Sequence, residues 1–508
     1  MRTTASDHVD VLIVGAGLSG IGAACHLQRR CPDRSYALLE GREAIGGTWD
    51  LFRYPGVRSD SDMHTLGYSF RPWTDDRVIA DGPSIRRYIA DTAEDHGVMD
   101  HVRLGHRVTR ADWSSEDARW TVTADHDGET VTMTASFLLW CSGYYRYDQG
   151  YEPDFAGRDR FRGTIVHPQH WPQDLGYAGK RVAVIGSGAT AITLVPAMAE
   201  TAAHVAMVQR SPTYLVSLPG EDPLATRLRR RLPAMAAYQA VRWKNVGMQA
   251  LSYRLCRRFP RASAAIIRKA VARQVPAGTD VDRHFRPRYD PWDQRLCVCP
   301  DGDFFRALRD GTASVHTDAI ESFTETGLRL AGGEEIEADI VVTATGLNLL
   351  ALGGTEVSVD GRELNLPERL TYKGLMLDGV PNAAMVIGYT NASWTLKCDL
   401  TCEYVCRILN HMRDHGQEIA VPVAEPGTVS PAPLLDLQSG YVQRSLDEFP
   451  RQGSEPPWKL RQNYPRDILT LRTKPLQDGV LRFAPAGQLP GAASAAVTAP
   501  APAVPAAA

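Results

Sequence analysis

Val9-Asp10-Val11-Leu12-Ile13-Val14-Gly15-Ala16-Gly17-Leu18-Ser19-Gly20 is the stretch that decides the fold. A nearly continuous apolar strand runs into a Gly-x-Gly-x-x-Gly turn, and Ile21–Leu27 reads as the helix behind it. Ser35–Glu40 is the next strand, so the segment is a βαβ unit and a parallel sheet is expected. Gly15 allows the tight turn, Gly17 lets the backbone approach a pyrophosphate, and Gly20 lets the helix pack close to the strand. The first helical turn offers N–H groups to phosphate, and the Ser19 hydroxyl can join them. Glu40 closes the second strand 25 residues after Gly15, where a carboxylate can hold ribose hydroxyls. An acid there favours a nucleotide without a 2′-phosphate, FAD or NAD.

The next segment selects FAD. Gly46-Gly47-Thr48-Trp49-Asp50-Leu51 brings a second glycine pair, letting the chain pass close to the cofactor again. A dinucleotide unit followed by such a pair resembles the flavoproteins with two dinucleotide-binding domains. The resemblance implies that Gly47, Trp49 and Asp50 contact the flavin nucleotide.

A second turn, Gly186-Ser187-Gly188-Ala189-Thr190-Ala191, repeats the logic, with Ala191 at the third glycine position and Ile192 in the helix behind. It follows the strand Arg181–Ile185, and the strand His204–Gln209 ends in Arg210-Ser211 rather than in an acid. Arg210 suits the extra phosphate of NADP through a bidentate charged contact, with Ser211 as a further donor. NADPH is then the reductant and FAD the acceptor. The expected fold is α/β, with two Rossmann-like dinucleotide-binding domains. Residues 1–145 begin the FAD domain, 146–340 form the NADP domain inserted in it, and 341–483 complete the first. Residues 484–508, mostly Ala, Pro and Gly, are expected to be disordered because they cannot bury enough surface to order themselves.

The bulk composition bounds the rest. With 508 residues, 44% apolar and 23% charged, the chain is long enough for two or three cores. A net charge of −3 gives no global pull toward nucleic acid. No apolar run is long enough for a membrane span and the N-terminus lacks a signal core, so a cytoplasmic protein is expected. Nine cysteines fit reduced thiols, and no motif suggests a metal site. One stretch stands apart: residues 223–278 contain thirteen Lys and Arg and no acid, interleaved with apolar residues. Two or three amphipathic helices are expected there, either as a solvated basic face or as a contact with an anionic membrane surface.

Between the turns lies Phe161-x-Gly163-x-x-x-His167-x-x-x-Trp171-Pro172. It resembles the fingerprint of the type I Baeyer–Villiger monooxygenases, which carry Trp where related flavin monooxygenases carry Tyr or Phe. The likeness continues through Leu51 to Asp62, Trp292 to Leu296 and Gly388 to Trp394, and spans Val9 to Phe483. It is strongest with the branch that also oxygenates sulfur in thioamide prodrugs. The resemblance implies that Arg295 is the active-site arginine and that Asp60 orients it. It places Arg58 and Ser59 on the nicotinamide side, Thr48 to Leu51 along the flavin edge, and Val108 against the adenine through its backbone. Within the family His167 couples the two domains. The implied reaction uses O2 as co-substrate. A C4a-peroxyflavin inserts one oxygen beside the carbonyl of a small apolar ketone, or onto sulfur, and a fixed guanidinium stabilises the resulting charge.

Two departures bear on that reading. Gln294 stands where the family often has a Lys that helps hold the NADP phosphate, which weakens the case for strict NADPH preference. Cys141-Ser142-Gly143 replaces Ala-Thr-Gly at the first domain crossing but keeps the glycine. The alternatives are a flavin disulfide reductase, for which no Cys-x-x-Cys is present, and a non-catalytic NADPH-sensing flavoprotein.

Overall fold

Asp7–Val14 lies inside a parallel array, between Tyr36–Leu39 on one side and the far end of Glu129–Trp140 on the other. Its last four residues are buried, as a strand covered on both faces requires. The computed structural model describes residues 7–490 with the exception of 436. The first sheet has nine strands. Val102–Arg103 extends the parallel array at one edge, and Ala383–Met385 pairs with Glu129–Trp140. An antiparallel meander, Arg107–Ser114, Arg119–His126 and Glu129–Trp140, continues the other side, where Glu356–Val359 and Arg362–Glu363 form the edge. Helices Leu18–Arg30 and Trp394–His415 cover one face, burying Ile21, Ala24 and Cys25 of the first against Cys398, Cys402 and Val405 of the second.

The second sheet has five strands, all parallel, in the order Ala313–Thr317, His204–Gln209, Arg181–Ile185, Ile340–Thr343 and Thr164–Val166. The chain enters it after Trp140 and leaves after Thr343. The two crossing segments, Tyr145–Gly150 and Leu347–Leu349, pair antiparallel with each other. The strands of the first sheet thus come from both sides of the second in sequence, giving the nested α/β architecture.

The basic stretch forms three helices, Pro223–Arg229, Ala234–Arg258 and Pro260–Ala272. The long middle helix leans away from its own sheet. Tyr238 and Val246 join the core beside the first sheet, and the Tyr238 hydroxyl donates to Tyr68 O at 3.0 Å.

The C-terminal end departs in part from expectation. Leu481–Ala484 is a strand antiparallel to Ile419–Pro422. The N–H groups of Ala486 and Gly487 donate to Glu418 Oε2 at 3.0 Å and to Ser115 O at 2.8 Å. Three backbone anchors therefore hold the start of the stretch expected to be disordered. The remainder of that expectation, residues 491–508, lies outside the described residues.

Candidate active site

The first glycine turn forms one wall of a cleft of about 570 Å³ between the two sheets. Gly15 has a φ of +100°, and a Cβ there would sit 2.9 Å from Cys141 O. A Cβ on Gly20 would lie 1.9 Å from Gly15 O, so the helix can approach only because Gly20 has no side chain. Gly17 and Gly47 face each other across the cradle, where a Cβ on Gly47 would be 3.1 Å from Gly17 Cα. That bare backbone suits the close approach of a pyrophosphate.

Glu40 closes this cradle as a buried carboxylate. It accepts from Ala16 N at 2.7 Å through Oε2 and from Arg42 N at 3.0 Å through Oε1. Burial pushes its pKa above the ordinary carboxylate value, against the pull of the two N–H donors. Each oxygen keeps a lone pair, which fits ribose hydroxyls. Thr48, Trp49 and Val108 line the same cleft, and the Thr48 hydroxyl meets Tyr147 Oη at 3.2 Å.

Three residues expected at the cofactor are occupied elsewhere. The Ser19 hydroxyl accepts from Trp394 Nε1 at 2.9 Å and meets Cys398 Sγ at 3.3 Å, so it serves helix packing as well as the cleft. Asp50 turns its carboxylate to Arg42, Arg53 and Arg86. Burial raises its pKa, but the three guanidinium groups outweigh that and leave it below the ordinary value. Leu51 is buried in the turn behind the cleft wall.

The second turn is more open. Gly186 has a φ of +137°, and a Cβ there would be 2.3 Å from Ala344 O. Gly188, the residue before helix Ala189–Ala199, is exposed, and a Cβ on it would meet nothing within 4 Å. Ala191 and Ile192 are buried in the helix, while Ala189 and Thr190 reach the cleft. Ser187 Oγ donates to Ser211 O at 2.9 Å, fixing the end of the adjoining strand. Arg210 and Ser211 are exposed.

Arg295 stands where the two turns converge. Its Nη1 donates to Asp60 Oδ2 at 3.0 Å and its Nη2 to Tyr389 O at 3.4 Å. About a third of each partner's side chain remains accessible, 33% for Arg295 and 34% for Asp60, so the pair is open to the cleft. Burial disfavours the charged guanidinium, but Asp60 and the neighbouring Tyr144, Tyr441 and Tyr145 more than offset this, and the group stays cationic. Arg58 lines the same cleft beside the buried Ser59 and pairs with Asp303. Arg295 Nε and Arg58 Nη2 are buried donors with no acceptor among the described residues. Donors left unmatched at a cleft wall fit oxygen-rich ligands such as a dinucleotide or a reacting carbonyl.

Two features of the surroundings of Arg295 lacked a readable signal in the sequence. Trp292, three residues before Arg295, has a φ of +74°, an uncommon conformation for a bulky residue. Such a turn costs about 1–3 kcal/mol and is held here by the ring of Tyr253, 5.5 Å away. The tyrosines around Arg295 come from positions 144, 145 and 441, which no local pattern connects.

The segment between the turns acts at the crossings. His167 Nε2 donates to Gly346 O at 3.2 Å, and its Nδ1 accepts from Gln169 N at 3.2 Å. Burial lowers its pKa, which suits a neutral ring with both nitrogens satisfied. A Cβ on Gly150 would lie 2.0 Å from the His167 ring. His167 therefore touches both crossing segments. Phe161 packs edge-on against Phe323 with ring centres 6.0 Å apart. A Cβ on Gly163 would strike Asp339 O at 2.3 Å. Trp171 packs on the second core, and Pro172 is exposed.

The thiols show no redox pair. All nine cysteines are free and buried, and burial raises the pKa of Cys297 to about 12. A disulfide reductase needs an accessible thiolate, which this arrangement withholds.

Comparison with known proteins accords with this geometry. Residues 9–235 match the family model described as flavin-binding monooxygenase-like. The chain is 55% identical over 481 residues to the FAD-containing monooxygenase EthA of Mycobacterium tuberculosis, covering 94% of this chain and 98% of the relative. It is 47% identical over 483 residues to the probable FAD-binding monooxygenase AlmA of an Acinetobacter species, covering 94% and 97%. A solved structure of an oxidized steroid monooxygenase bound to NADP superposes with a TM-score of 0.69 at 26% identity, covering 82% of this chain and 88% of that one. The chain belongs to the FAD-containing monooxygenase family.

Proposed function

We propose that this monooxygenase inserts one oxygen atom beside the carbonyl of a small apolar ketone, giving an ester or lactone, and oxygenates sulfur in thioethers and thioamides. Bound FAD, reduced by NADPH, supplies activation of O2 and delivery of one of its oxygen atoms. The first turn with Glu40 and the Gly17–Gly47 cradle would hold FAD, and the second turn with Arg210 would hold NADPH.

The observation that carries the reading is the Arg295–Asp60 pair, open to the single cleft that both turns reach. Arg295 presents a cation fixed in advance to the negative charge that develops on a carbonyl oxygen under attack. Asp60 sets the direction of the guanidinium and Tyr389 O limits its swing. A preorganised charge in a partly dry cleft is worth more than the same charge in water.

The test is Arg295→Ala, assayed with a panel of ketones and thioethers and scored by product rather than by NADPH loss. Product formation should fall at least 10²-fold, the equivalent of about 3–4 kcal/mol of transition-state stabilisation. NADPH oxidation should persist, with the electrons recovered as hydrogen peroxide, and FAD content should be unchanged. Normal oxygenation by this variant would remove Arg295 from the role.

A further inference from the structure

Among the described residues, eleven large apolar side chains are well exposed, and eight of them fall between residues 223 and 278. The inner face of helix Ala234–Arg258 is committed to the protein. Arg242, 2% exposed, donates to His64 O and Gly67 O at 2.8 Å each and to Asp399 Oδ2 at 3.3 Å. The outer face carries Trp243, Met248, Leu251 and Leu255, with Phe259 just past its end, each 47–62% exposed. A cluster of this kind marks an interaction site.

The charge around it has one sign. Of the thirteen basic residues in the stretch, five are ion-paired to acids, as Arg242 is to Asp399 and Lys244 to Asp222. The other eight are exposed and have no acidic partner among the described residues. Arg254 stands three residues after Leu251 and Arg258 three after Leu255, on the same side of the helix.

We propose that this face docks on an anionic lipid bilayer, with the apolar side chains entering the headgroup boundary and the guanidinium groups among the lipid phosphates. Charge complementarity favours that occupant. A two-fold contact with a second copy would set like charges against each other. Nucleic acid would match the cations but leave Met248 and Leu251 against phosphate. No helix among the described residues is long and apolar enough to cross a membrane, so docking is at the surface. The same helix meets the Arg295 segment, through Arg257 Nη1 to Asp293 Oδ1 at 2.6 Å. Docking therefore sets that segment on the bilayer side of the molecule.

The experiment sediments the full-length, FAD-loaded protein with phosphatidylcholine vesicles, with and without phosphatidylglycerol. Binding is expected only with the anionic lipid, and it should fall steeply as salt rises. The triple variant Arg254→Gln, Arg258→Gln, Arg261→Gln should bind about 100-fold more weakly. Met248→Ser with Leu251→Ser should weaken binding by about tenfold. FAD absorbance and turnover of a water-soluble substrate should be unchanged in both, which excludes misfolding. Four results would overturn the proposal: no binding to anionic vesicles at low salt, equal binding to neutral ones, no effect of the serine pair, or a charge-dependent change in oligomeric state. Tighter binding of an oligonucleotide than of anionic vesicles would assign the face to nucleic acid instead.

Discussion

The two glycine turns share a strand–turn–helix plan but present different surfaces. The first is walled in. Gly20 is in contact with Gly15 O, Gly17 faces Gly47, and the strand beside it ends in a buried carboxylate holding two backbone N–H groups. The second is open. Gly188 faces empty space, and its neighbouring strand ends in the exposed Arg210. A walled turn suits a cofactor that stays through turnover, and an open one suits a reductant that must arrive and leave.

The sharpest challenge to this contrast is a matched pair of substitutions. Gly20→Ala puts a methyl group 1.9 Å from a backbone oxygen, and should destabilise the FAD unit by about 3 kcal/mol or more, with loss of bound flavin. Gly188→Ala meets nothing within 4 Å and should leave FAD content and melting temperature nearly unchanged. Flavin occupancy of the two purified variants decides the matter, and equal losses would dissolve the distinction.

Arg210→Ala examines the open site alone. Removing one charged phosphate contact costs about 1.5–3 kcal/mol, so the NADPH-over-NADH ratio of kcat/KM should fall roughly 10–150-fold while FAD content stays constant. An unchanged ratio would mean that another residue reads the phosphate.

His167 tests the joint between the two regions and carries the smallest effect. Burial holds its folded pKa below the ordinary 6.5. The unfolded chain therefore binds more protons as pH falls through 6.5, and stability is lost in the window from there down to the folded pKa. Denaturation measured from pH 7.5 to 5.5 should show this contribution as a slope of at most about 1.4 kcal/mol per pH unit. In His167→Gln that contribution should vanish, and an identical slope would show that the ring protonates without disturbing the crossings.

Periodicity and glycine spacing sufficed for both parallel units, for the nesting of one in the other, and for Glu40 and Arg210 at the ends of their strands. These follow from local rules: a turn needs a positive φ at Gly15 and Gly186, and a strand covered on both faces must be apolar. The roles proposed for Arg295 and Asp60 came only from resemblance, because the two are 235 positions apart and no spacing rule joins them. Only the tertiary structure drew the tyrosines at 144, 145 and 441 around that arginine. It also turned Asp50 toward three arginines and Ser19 toward Trp394. The same holds for the long basic helix Ala234–Arg258, which belongs by sequence to the second unit but buries Tyr238 and Val246 in the core of the first. Local sequence determines which backbone conformations are cheap, whereas the partners of a polar side chain depend on burial and on contacts between segments distant in the chain.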